Sequence, residues 1–73
     1  MNRRLTAVIE REGDGYVALC PELDVVSQGD TVASARDNLA EALTLFFEVA
    51  SAKEIDRRLC NEVYVTHVEV AVG

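Results

Sequence analysis

"YVALCPELDVVSQGDTVASA", Tyr16 to Ala35, decides the fold, because it runs from β-forming residues through two turns into the start of a helix. Tyr16 to Cys20 is rich in strand formers. Pro21 has no backbone N–H and a fixed φ suited to the second position of a tight turn, so the chain reverses at Cys-Pro-Glu-Leu-Asp and Val25 to Gln28 follows as another strand. Gly29 ends that strand. Thr31 is placed to cap a helix, with its hydroxyl free to accept an orphan backbone N–H, and Asp30 sets a negative charge beside the positive end of the helix dipole. The cysteine and the three carboxylates in this stretch therefore read as turn and cap chemistry rather than as a catalytic loop.

Working outward toward the N-terminus, Arg4 to Arg11 alternates Leu5, Ala7 and Ile9 with Arg4, Thr6, Val8 and Glu10, the period of a strand with one buried face. Asp14-Gly15 is a two-residue hairpin signal between this strand and the next. Toward the C-terminus, Val32, Ala35, Leu39, Ala42, Leu43, Phe46, Phe47 and Ala50 recur at intervals of three and four, which predicts one apolar face of a helix ending near Ala50. Phe46 and Phe47 are read as core packing. "SAKE", Ser51 to Glu54, has the form of a capping box and predicts a second, short helix from about Ala52 to Leu59. Cys60-Asn61 is the exit turn. Glu62 to Val72 is a strongly β-favouring last strand, with Val63 and Val65 on one face and Val68, Val70 and Val72 on the other. A strand apolar on both sides is either central or covered by another subunit.

The expected class is α+β: a three-stranded antiparallel meander, a helix plus a short helix on one face of the sheet, and a fourth strand returning beside the others, in the order βββααβ. A chain of 73 residues is room for one domain, 1–73. Such a domain buries only about 60% of its unfolded surface and gains from self-association. Hydrophobic residues at 49% against 27% charged support a packed core and argue against disorder. No apolar run approaches the roughly 20 residues of a membrane span, and no apolar signal segment follows Met-Asn-Arg-Arg-Leu, so a cytoplasmic protein with reduced Cys20 and Cys60 is expected.

Net charge is −6, and it is concentrated. Glu10, Glu12, Asp14, Glu22, Asp24 and Asp30 stand against Arg11 alone between residues 10 and 30, a distribution that repels phosphate backbones and attracts basic partners. Direct nucleic-acid binding is therefore not expected.

Catalytic constellations are weak. Carboxylates around Cys20 raise a thiol pKa, whereas a nucleophile needs it lowered, so Cys20 reads as structural. Cys20, Cys60 and His67 lack the close ligand pairs that pre-form a zinc site. His67, the only histidine, reads as a sheet-surface residue. A magnesium-dependent nuclease needs acids converging from strand centres, but the first strand's inward positions are Leu5, Ala7 and Ile9. No phosphate loop or nucleophile elbow is present in the sequence, and no cofactor is expected.

The run Gly15 to Glu48, through Tyr16, Cys20, Pro21, Glu22, Gly29, Asp30, Thr31, Ala35, Leu39 and Leu43, resembles the HicB-like antitoxin family in the order and spacing of its turn, cap and leucine-rich helix. The resemblance implies a degraded, partial RNase H-like fold with sheet order third, second, first, fourth strand and without the catalytic acids of true RNase H. It also implies an antitoxin, not an enzyme, that binds and masks HicA, a small basic messenger-RNA-cleaving toxin. Many HicB antitoxins continue into a DNA-binding domain; this chain ends at Gly73, and no such C-terminal domain is expected. The alternatives are an orphan HicB-like interaction module without a toxin and, less favoured, a residual metal-dependent nuclease using Asp24 or Glu10. Toxin contacts are expected at the acidic turns, Glu12, Asp14, Glu22 and Asp24, with Leu23 as an exposed apolar anchor. A homodimer or higher homo-oligomer is expected to form through Val68, Val70 and Val72.

Overall fold

The computed structural model describes residues 3–60 and 62–73. Three antiparallel strands, β1 (Val8–Glu12), β2 (Gly15–Cys20) and β3 (Val25–Gly29), form a sheet in that order, followed by α1 (Val32–Val49) and α2 (Ala52–Leu59). The α+β class and the meander match the sequence reading. Among the described residues of the single chain the expected fourth strand is not formed: residues 62–73 pair with no other described segment. Composition alone cannot make a strand, because its backbone groups need a hydrogen-bonded neighbour before β-propensity is realised. Asn61 of the expected exit turn lies outside the described residues.

The first hairpin is displaced by one residue from its expected position. Glu12 pairs with Gly15, which leaves Gly13 and Asp14 as the two loop residues. Gly13 has φ +60° while Asp14 stays at negative φ, the pattern of a II′ turn, in which the first central position carries the glycine. Gly15 is instead a strand residue, and a Cβ there would stand 2.9 Å from the Gly29 carbonyl oxygen. The second reversal is a four-residue loop, Pro21 to Asp24, closed by the pair Cys20 and Val25. Its last residue, Asp24, sits at φ 56°, a left-handed conformation that aspartate tolerates better than most residues.

Thr31 caps α1 as its position in the sequence suggests, and the cap is a reciprocal box. The Thr31 hydroxyl accepts the Ser34 N–H at 3.0 Å, and the Ser34 hydroxyl accepts the Thr31 N–H at 3.0 Å. Gly29 does more than end a strand. A Cβ at this position would lie 2.4 Å from Ser34 Oγ and 2.5 Å from the Ala35 nitrogen, so only glycine allows β3 to approach the first turn of α1 this closely. At Ser51 the box is half made: its hydroxyl accepts the Glu54 N–H at 3.1 Å, but the Glu54 carboxylate turns to Arg57 and Arg58.

The core lies between α1 and one face of the sheet. Ala18, Cys20, Leu23, Ala35 and Leu39 are essentially inaccessible, and Leu5, Ile9, Tyr16, Val25, Leu43, Phe46, Phe47 and Leu59 pack around them. Small residues at Ala18 and Ala35 let strand and helix come close, and Leu39 fills the remaining space. Phe46 and Phe47 pack edge to face at 5.5 Å between centroids, consistent with a core role. Ala7, expected inward, is exposed, because it precedes the paired part of the strand. Val32 is likewise half exposed at the helix start.

Candidate functional site

The residues expected to contact a partner do not share one surface. Glu12 and Asp14 are exposed at the hairpin end, whereas Glu22, Leu23 and Asp24 lie in the loop at the other end of β2. Five residue steps separate the two ends, roughly 17 Å at a strand's rise.

At that far loop the physical chemistry is structural. The Glu22 carboxylate accepts hydrogen bonds from the Thr6 backbone N–H at 3.1 and 3.2 Å, from the Thr6 hydroxyl at 2.7 Å, and from the Cys20 thiol at 3.5 Å. Burial on its own would raise the carboxyl's pKa. The donors outweigh it, above all the Thr6 hydroxyl, and hold Glu22 below the usual carboxylate range. Cys20 shows the converse: burial pushes its thiol up and the neighbouring Glu22 carboxylate adds to the rise, leaving a neutral thiol. Glu22 ties the N-terminal segment to the β2–β3 loop, and the Cys20 thiol supports its carboxylate.

Leu23 is 1% exposed, so it is a core residue and not a surface anchor. The loop folds its side chain inward beside α2. The Arg58 guanidinium donates to the Leu23 carbonyl oxygen, pairs with Glu54 at 2.9 Å and stacks over the Phe46 ring at 5.3 Å. One cation thus joins the loop, α1 and α2. Asp24 remains exposed, and its backbone conformation is what the turn requires.

The sheet face turned away from α1 gathers an apolar row that the sequence reading did not single out. The strand register places Val8, Leu19 and Val26 in one row across the three strands, and Glu10, Val17 and Gln28 in the next. Ala18 and Cys20, of the other parity, are the ones buried under α1. Val26 is 58% exposed, and neither described helix packs on this side, since α1 buries the opposite parity. Glu10 and Glu12 stand on the same face as the apolar row, so the surface combines an apolar centre with acidic groups along β1. The sequence carried one signal of it: Tyr16 to Cys20 is apolar at every position, the mark of a strand needing cover on both faces.

Among the described residues, no group of three or more histidine, cysteine or acidic side chains is placed to hold a metal ion. Glu10 lies on the uncovered sheet face and Asp24 in the far loop. No helix among those residues is long and apolar enough to cross a membrane.

A protein of Synechocystis sp. (strain ATCC 27184 / PCC 6803 / Kazusa), UPF0150 protein ssl0738, is 46% identical over 50 residues, which cover 66% of this chain and 69% of the relative. The chain belongs to the UPF0150 family. No family model matches the chain, and no solved structure does. Within UPF0150, then, this member presents an acidic, partly apolar sheet face on the side opposite α1.

Proposed function

We propose that this UPF0150 protein acts as an antitoxin of the HicB-like kind, binding a small basic RNA-cleaving toxin of the HicA type and masking its RNA-binding surface. The observation that carries the reading is the uncovered sheet face, on which Val8, Val17, Leu19 and Val26 adjoin Glu10 and Glu12. An RNA-binding toxin must present cations, and a partner with an apolar centre and acidic edge can desolvate the centre while its carboxylates occupy the phosphate-binding groups. Asp14 extends the acidic edge at the hairpin. Glu22 and Leu23, committed to the fold, drop out of the contact set. In this reading the protein is a binding module and not an enzyme, and residues 62–73 supply the fourth strand of a partial RNase H-like sheet.

The test is co-expression with a candidate small basic toxin followed by affinity measurement. Glu10→Arg with Glu12→Arg is expected to weaken binding at least tenfold, and Val26→Arg to do the same, with the helical circular dichroism unchanged. Toxin affinity and growth rescue unaltered in both variants would overturn the assignment.

A further inference from the structure

The twelve residues from Glu62 to Gly73 project from the body. The molecule measures 50 × 27 × 19 Å with a radius of gyration of 14.3 Å, against about 11 Å for a compact chain of this length. Along this arm Tyr64, Val65, Val68, Val70 and Val72 are between 60% and 92% exposed. Five large apolar side chains in water on a β-forming segment constitute an unpaired strand.

The body offers one matching vacancy. Of the two sheet edges, β3 has its Gln28 carbonyl oxygen already taken, by Asn38 Nδ2 on α1 at 2.7 Å. The edge of β1 is open. Starting from the pair Glu12 and Gly15 that closes the hairpin, the antiparallel alternation directs the N–H and C=O of Arg11 and Ile9 away from β2, toward that edge. Beside it, an open groove of about 710 Å³ runs between the N-terminal segment and α1, lined by Leu5, Ala40, Leu43 and Phe47 with Arg3 and Glu48 at its margins. A strand added to β1 would lay alternate side chains into this groove. Tyr64, Val68, Val70 and Val72 share one parity and form such a row, while His67 and Glu69 share the other with Val65.

The geometry points to exchange of these arms between two copies, each arm adding as a strand to the β1 edge of the second copy and seating Val68, Val70 and Val72 in its groove. The arm is extended away from its own groove, and at about 3.3 Å per residue it reaches roughly 40 Å, more than the length of β1 with its N-terminal extension. Charge favours the same partner, since Arg3, Arg4 and Arg11 lie along the segment the arm would join and Glu62 and Glu69 lie on the arm, with Glu10 and Glu12 the like charges on β1. In two-fold exchange each copy gives one arm and receives one, so both β1 edges are filled at once and the assembly closes at a dimer.

Light scattering on the full chain is expected to give about twice the 8.0 kDa chain mass, and Val70→Lys to return it to one chain without loss of helical circular dichroism. Because that valine is exposed in a single copy, the variant is expected to fold. In a mixture of isotope-labelled and unlabelled chains, nuclear Overhauser contacts between Val68, Val70 or Val72 methyls and Leu43 or Phe47 are expected between different copies. The proposal is overturned by a dimer that persists in Val70→Lys, by the same contacts arising only within one chain, or by their absence. All of these readouts are independent of toxin binding.

Discussion

β2 and the C-terminal arm have similar β-forming composition and opposite fates. "GYVALC" is paired on both sides and contributes two of the five fully buried residues, whereas "EVYVTHVEVAV" is paired on neither side and keeps most of its apolar side chains in water. Intrinsic preference does not separate them. Position does: β2 is bounded by a two-residue turn and a four-residue loop that bring neighbours alongside within a few residues, at little loop-closure cost. The arm follows two helices, and nothing local returns it to the sheet.

If that contrast is right, damage near β2 should unfold the protein and damage in the arm should not. The largest effect is expected at Leu39, which is 1% exposed beneath the sheet: Leu39→Ala should cost about 2–5 kcal/mol by chemical denaturation, enough to unfold much of so small a domain. Gly29→Ala should come next, at about 1–3 kcal/mol, because the new methyl must push β3 away from Ser34 and Ala35. Midpoints unchanged by either substitution would show that the α1–sheet contact does not hold the fold together.

The loop beyond β2 sharpens the comparison, since it is fastened by polar ties of a kind the arm lacks. Arg58→Ala removes the bond to the Leu23 carbonyl and the stacking on Phe46, and is expected to cost about 1–2 kcal/mol. Glu22→Gln should cost about 1 kcal/mol at neutral pH. Its pH dependence has a definite sign. Because the folded-state pKa of Glu22 lies below its unfolded value, the carboxylate's contribution is fully present above the ordinary glutamate pKa and is lost as pH falls through the depressed folded value. Wild type and Glu22→Gln should therefore converge in stability in acid; a gap that stays constant from pH 7 down to pH 3 would exclude the carboxylate as its source.

The same contrast explains what could be read in the sequence. Helix starts at Thr31 and Ser51 were legible because a cap is a local event spanning three residues, and α2 runs from Ala52 to Leu59 as its pattern indicates. The hairpin was legible as a hairpin but misplaced by one residue, since "GDG" offers two glycines and only the register shows which one turns. Leu23 was misread because a leucine in a turn can point either way, and its burial depends on α1, α2 and the sheet together. The Glu22–Thr6 tie joins residues 16 apart and has no local signature. Nor had the uncovered sheet face, beyond the unbroken apolar run of β2; its row of Val8, Leu19 and Val26 exists only once the strands are in register.

The smallest stability effect is expected in the arm itself, and there its size depends on concentration. In dilute solution Val72, 92% exposed, contacts too little for Val72→Ala to change stability by more than about 0.5 kcal/mol, although a core valine cut to alanine would cost several times that. Amide hydrogen exchange separates the regions more finely. β2 amides should be protected at every concentration, because their partners are in the same chain, while arm amides should be nearly unprotected in dilute solution and gain protection as copies meet. Arm amides as protected as those of β2 at the lowest measurable concentration would mean that the arm has a partner within its own chain, and the contrast between the two segments would then be one of sequence distance rather than of assembly.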